Sequence, residues 1–485
     1  MPCKRPRTPS KAPKPASPAG IDPFSAENCQ VFGKNDAFPP ETAKILSIFA
    51  AISTIPRPSK KEGAVREAIA AWAEARGWKT AVDAAGGSLR IDCPATRGFA
   101  KASRVILQAH LDMVLAGNLD AHTPPELLLS PDGKTLRARG TSLGSDDGIG
   151  LALALHAMAS AAPHGPLRAV FTTDEESGMS GARALPAEWL ADARYLFNID
   201  WEEAGEACVS SAGARTLVLS RRGETAPVAA EPARLSVSGL PGGHSGADID
   251  RGIPNALLAL GGAIGAKRAP RLVSFAGGRA PNAIPADAEA GLVRPRKGAP
   301  LVPAFTQEET RNFLALLREL PNGVLARDGD GKVEDSSSLG IASADAKTAR
   351  MRLTLHIRSH TEEGMERVRR AVAACAARHG FQTKAGEATA PWRVPETAGV
   401  RALAAKAAEG VFGAPFRFTK AHVGLECGIF AEKAPRLEIL SFGPTLRFPH
   451  STRETLAVDT VGPTARFLAR LLAETAREGS PRARP

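Results

Sequence analysis

Histidine and carboxylate residues recur at a few points of this chain, each at or just past an apolar run. His110 and Asp112 close "SRVILQAHLDMV", and Asp146 and Asp147 stand side by side in "GSDDGIGLALALHAMA". Glu175 and Glu176 are adjacent in "FTTDEESGMSGA", Asp200 ends "YLFNID", and His450 lies in "RFPHST". Imidazole and carboxylate together are the donor set of zinc-like divalent cations. Singly, each residue has an ordinary explanation. His110 reads as a satisfied strand-end histidine, one aspartate of the pair as a helix N-cap, and the glutamate pair as a solvated turn. Asp200 reads as part of a surface acidic run with Glu202 and Glu203. The aspartate pair resists this reading, because one helix start needs one cap. Carboxylates gathered at one sheet edge repel, since like charges within about 4–6 Å disfavour ionisation. Two cations about 3.5–4 Å apart, sharing a carboxylate and a water, would relieve that repulsion and polarise a carbonyl.

The elements around these residues are those of an α/β fold. "PETAKILSIFAAISTIPRPS" has helical apolar spacing and a Pro-x-Pro stop, and "KEGAVREAIAAWAEARGW" is a second amphipathic helix. Strands follow in "SLRIDCPA", "SRVILQAHLDMV", "GPLRAVFTTDEE" and "ARYLFNID". Strand and helix alternating at this spacing predict a mixed, mostly parallel sheet with helices on both faces. Ligands of such sheets bind past the strands' carboxyl ends, where the polar residues gather. The middle of the chain alternates strand and helix signals with many Gly/Pro turns and reads as an inserted α+β lid domain. The expected organisation is a disordered basic, Pro-rich tail at 1–37, catalytic material at 38–210, the insert at 211–395, catalytic material again at 396–478, and a disordered end at 479–485.

Composition narrows the function classes. The net charge of +11 raises nucleic acid as a partner, but the first twenty residues carry five Lys/Arg and no acid, and so supply +5 of it. A Pro-rich segment of that kind reads as a solvated extension rather than a binding face. No apolar run reaches the roughly 18 residues of a membrane span. The tail lacks the apolar region of a secretory signal. The six cysteines are scattered with no CxxC pair, which excludes a zinc ribbon and favours a reducing, cytoplasmic setting.

In combination the motifs carry a resemblance. "QAHLDMV", "TSLGSDDGIGLA", "TTDEESGMSGA", "FNIDWEE", "GGHSG", "PNAIP", "GLECGIF" and "SFGPTLRFPHS" occur in this order. The order resembles that of the dinuclear-zinc metallopeptidases related to aminoacylase and carboxypeptidase, most of all the aminoacyl-histidine dipeptidases. The resemblance runs from about Phe38 to the end. It implies a zinc-peptidase-like catalytic domain that hydrolyses unblocked dipeptides, X-His among them, with two divalent ions: zinc, or else cobalt or manganese. It implies that Asp146 bridges the two ions, that His110, Glu176, Asp200 and His450 complete the ligands, and that Asp112 orients His110. Glu175 becomes the general base and His244 the oxyanion donor. Asn282 and Arg358 hold the substrate carboxylate, and Glu426 holds the α-amino group. The expected partner is a dipeptide, with no nucleic acid and no membrane; the Gly-rich, strand-edged lid domain allows a homodimer without demanding one.

The chain also departs from that pattern. Asp147 stands where the dipeptidases usually have Asn, Asp250 stands for a His, Pro254 for an Arg, and Trp201 for a small polar residue. A related aminoacylase, carboxypeptidase or tripeptidase acting on another amide is the alternative reading.

Overall fold

The computed structural model describes residues 38–266 and 271–478; the expected tails at 1–37 and 479–485 lie outside the described residues. The helix Pro40–Ser53 buries Ile45, Leu46, Phe49 and Ile52 at its apolar spacing. It packs against the helix Ser145–Ala159.

The first sheet has nine strands. At its centre Leu167–Thr172, Arg104–His110, Ala193–Asn198 and Glu438–Ser441 lie side by side and parallel. Leu167–Thr172 is buried at every position, as expected of a strand covered on both faces. Most flanking pairs are antiparallel, so the sheet is mixed; Arg417–Ala421 adds a parallel pairing to Glu206–Ser211. His110 pairs with Thr172, and Gln108 with Asn198. The register therefore brings the carboxyl ends of three adjacent strands level. His110 ends the middle strand, with Glu175 just beyond one neighbour and Asp200 just beyond the other. At a strand separation of about 4.8 Å, their side chains come within reach of a shared centre.

A second nine-stranded sheet is antiparallel throughout and draws all its strands from residues 213–389. The helices Ala256–Gly265, Gln307–Glu319 and Glu362–Arg378 pack with it around a core of their own. Trp392 and Arg393 already pair with Glu206–Ser211 of the first sheet, so the chain rejoins that sheet a few residues before the expected return at 396. Among the described residues, no helix is long and apolar enough to cross a membrane.

Candidate metal centre and cleft

The aspartate pair does two different jobs. Backbone angles at Asp146 and Asp147 are not helical, and the peptide between them is cis. Regular helix thus begins just after them. Asp147 Oδ1 accepts from Gly150 N at 3.1 Å, which caps that helix, and Oδ2 accepts from His110 N at 3.2 Å. Asp147 therefore ties the helix start to the strand end. Gly150 has to be glycine here: a Cβ would lie 2.1 Å from Asp147 Oδ1 and 2.3 Å from the Ile199 carbonyl.

Asp146 faces the other way. Its Oδ1 lies 2.9 Å from His110 Nε2, and its Oδ2 lies 2.9 Å from His450 Nε2. His450 also reaches Glu176 Oε2 at 2.8 Å, and His110 reaches Asp200 Oδ1 at 3.5 Å. One carboxylate thus spans two half-sites: His110 with Asp200, and His450 with Glu176. Within the first, ligand atoms of His110, Asp147 and Asp200 lie within 4.8 Å of one another; within the second, so do those of Asp146, Glu176 and His450.

The charges do not balance without a cation. Burial raises the Glu176 carboxyl to about 7, with Asp146 adding repulsion. Burial likewise raises Glu175 well above its ordinary value, and Asp200 and Glu176 push it the same way. Burial alone would lower His450, yet Asp146 and Glu176 drive it up to about 11. Glu176 Oε1 is buried with no hydrogen-bond partner. An orphaned oxygen among imidazoles and excess carboxylates is what a divalent cation needs, so the residues fit the implied ions.

Asp112 does more than orient His110. His110 Nδ1 is nearer the Asp112 backbone carbonyl, at 3.1 Å, than its carboxylate, at 3.4 Å. The carboxylate itself accepts from Glu175 N at 3.0 Å, Glu176 N at 3.2 Å and Ser59 Oγ at 2.7 Å. It therefore fixes the glutamate turn as much as the histidine. Glu175 and Glu176 both approach His110. Glu202, weighed from sequence as surface charge, is half-buried; burial, then Asp146 and Asp200, raise it to about 8.

Two buried residues escaped the sequence reading. Arg57, from the Pro-x-Pro stop, donates to the Leu111 and Asp112 carbonyls at 3.0 and 2.7 Å and also to the Gly144 carbonyl. Glu454, four residues after His450, accepts from the N–H groups of Leu143, Gly144, Ser145 and Asp146 and from the Ser145 hydroxyl. Together they set the loop that carries Asp146. Replacing Glu454 by Ala leaves those buried donors without their acceptor, a class of lesion that costs about 1–3 kcal/mol or more. Chemical denaturation is expected to show a loss of that size, and a loss below about 1 kcal/mol would contradict the role.

On the second sheet, His244 and Arg358 meet. His244 Nδ1 accepts from Gly246 N at 3.2 Å and Ala247 N at 3.0 Å, so the ring proton sits on Nε2. Nε2 lies 3.3 Å from Arg358 Nη2. Two donors therefore face one space. Burial, then the Arg358 charge, lower His244 to about 4 and keep it neutral. Arg358 is buried, its Nε has no partner, and among the described residues no carboxylate pairs with it. Burial lowers its guanidinium to about 10. A guanidinium and a neutral imidazole N–H without an acceptor make a slot for an anionic oxygen. A cleft of about 560 Å³ opens beside them, lined by Asp200, Trp201, Gly246, His422 and Arg447 among others.

Two expected substrate residues are placed otherwise. Glu426 is fully buried, and its Oε2 accepts from Gln108 Nε2 at 2.6 Å and Thr172 Oγ1 at 2.7 Å. Burial raises it to about 8. It is a buried acid bonded through Oε2 to the strands beneath the centre, while its Oε1 has no partner. Asn282 has an exposed side chain and joins the slot through its backbone carbonyl, which accepts from Ser245 N at 2.8 Å. Of the departures, Asp250 pairs with Arg327, Trp201 donates to Glu206 Oε1 at 3.1 Å, and Pro254 precedes Asn255, which caps the helix Ala256–Gly265.

The sequence pattern of peptidase family M20/M25/M40 matches residues 106–474. The cytosol non-specific dipeptidase of Escherichia coli (strain K12) is 33% identical over 88% of this chain and 96% of its own length. The crystal structure of aminoacylhistidine dipeptidase from Vibrio alginolyticus superposes with a TM-score of 0.74 at 31% identity, covering 90% of this chain and 96% of that one. Aminopeptidase PepT from Bacillus cereus shares the fold, with a TM-score of 0.62 at 18% identity over 90% of this chain and 99% of that one.

Proposed function

The chain belongs to peptidase family M20/M25/M40, and from that premise we propose that it is a metal-dependent dipeptidase acting on unblocked dipeptides, X-His dipeptides included. The observation that carries the reading is the Asp146 carboxylate, with one oxygen on the His110 half-site and the other on the His450 half-site. His110, Asp146, Glu176, Asp200 and His450 would hold two divalent ions, with zinc the natural choice for this nitrogen and oxygen set. Bound there, the ions would supply Lewis acidity toward a carbonyl and a water of lowered pKa.

The chain's own residues do the rest. Glu175 takes a proton from the attacking water and returns it to the leaving amine. His244 Nε2–H donates to the oxygen that becomes negative as the amide carbon turns tetrahedral, where one such donor contributes about 2.7–4 kcal/mol. Arg358 takes the substrate carboxylate. A longer peptide would place a neutral amide against that buried charge, which favours short substrates. The name of the Escherichia coli relative supports both the substrate class and a cytoplasmic setting.

Arg358→Gln tests the substrate reading. A hydrogen bond to a charged group is worth about 1.5–3 kcal/mol, so KM for a dipeptide is expected to rise by about 10- to 100-fold. C-terminally amidated dipeptides should already show that loss in the parent protein and lose nothing more in the variant. Equal losses on free and amidated substrates would contradict carboxylate binding and favour an aminoacylase-type or other amide substrate.

A further inference from the structure

Among the described residues, one group of metal-type donors shares no member with the centre above. Ligand atoms of Glu319, Cys375 and His379 lie within 4.8 Å of one another. Glu319 ends the helix Gln307–Glu319, Cys375 lies in the last turn of Glu362–Arg378, and His379 is that helix's C-cap. Cys375 and His379 are four residues apart, which puts both side chains on one helical face.

Asn312 fixes one of the two ring nitrogens. Its Nδ2 donates to the His379 carbonyl at 2.9 Å, so its Oδ1, 2.7 Å from His379 Nδ1, has to accept from that nitrogen. Nδ1 carries a proton, and Nε2 faces Glu319 Oε2 at 3.1 Å. Two acceptors at that distance require a cation between them, either a second ring proton or a metal. A ring nitrogen anchored to an amide carbonyl is also the usual outer support of a metal-bound histidine. Cys375, 2% exposed, adds sulfur to the same space.

We propose that Glu319, Cys375 and His379 form a further metal site, for a thiophilic divalent cation such as zinc, that clasps the ends of these two helices on the second sheet. Sulfur sets it apart from the main centre, whose donors are all nitrogen and oxygen. The guanidinium groups of Arg318 and Arg378 each lie 3.8 Å from Glu319 and are exposed. The carboxylate and the thiolate bring two negative charges against them. Loading releases the Cys375 thiol proton to solvent; without a cation, burial holds that thiol up.

The test uses the full-length protein, stripped with chelator and titrated with Co(II) under nitrogen. One equivalent beyond those of the main centre is expected to bind with a near-ultraviolet thiolate-to-cobalt charge-transfer band. Cys375→Ser and His379→Gln should each abolish that band and lower the stoichiometry by one. Dipeptide hydrolysis, which also certifies folding, should stay within about twofold of the parent. The band reads this site alone, whatever number of ions the main centre takes. Its absence from the parent, or its survival in either folded variant, would overturn the site and leave a plain imidazolium–carboxylate pair beside a bystander thiol.

Discussion

Glu175→Gln is expected to lower kcat for dipeptide hydrolysis by about 10²- to 10⁴-fold, the usual worth of a positioned general base, with metal content and KM near those of the parent. The substitution keeps shape and removes only the ability to take a proton. The two glutamates are not interchangeable. Glu176 is tied to His450 at 2.8 Å. The Glu175 carboxylate accepts no hydrogen bond among the described residues, although its backbone N–H is held by Asp112 at 3.0 Å. One is engaged as a ligand would be, and the other is free for water. Full turnover by the metal-loaded variant would remove Glu175 from the chemistry.

Asp146→Asn is expected to strike both half-sites at once. The parent carboxylate offers an anionic oxygen to each, and one amide cannot replace both. Metal content should fall for both ions together, and activity by more than the roughly 10- to 100-fold typical of losing an outer partner. Asp147→Asn is the control. Its side chain holds the His110 and Gly150 N–H groups, and an amide oxygen still accepts from one of them. Elemental analysis beside steady-state rates checks both variants. Equal metal retention in the two would contradict the assignment of Asp146 as the shared ligand.

Much of this centre was legible in the sequence, for a physical reason. His110, Glu176 and Asp200 follow the ends of strongly apolar strands, and a parallel sheet brings such ends to one edge. The odd pairing of Asp146 with Asp147 signalled that a cap alone was too little to explain them. Arg57 and Glu454 left no such signal. Their partners lie 54 to 87 and 308 to 311 residues away and are backbone groups, which no side-chain pattern reveals. The depth of Glu426 left no signal either, because a family motif gives the residue and not its burial: the "GLECG" turn sets it against Gln108 and Thr172. The Cys375–His379 spacing carries no such signal, because a pair four apart is ordinary on a helix and its third partner, Glu319, belongs to another helix. The second sheet was legible as α+β in kind, while the point of return to the first sheet was not, since Trp392–Arg393 makes only a two-residue pairing.

The most direct measurement counts metal in the purified protein by elemental analysis and follows hydrolysis of a dipeptide panel, X-His included, before chelation, after it and on restoring zinc. The account predicts two ions per chain bound to the main centre, scored in the Cys375→Ser background so that the sulfur site does not contribute. Hydrolysis of free dipeptides should be lost with those ions and return with them. Turnover that persists in the fully stripped protein, or a fully loaded protein inert toward every free dipeptide, would contradict it.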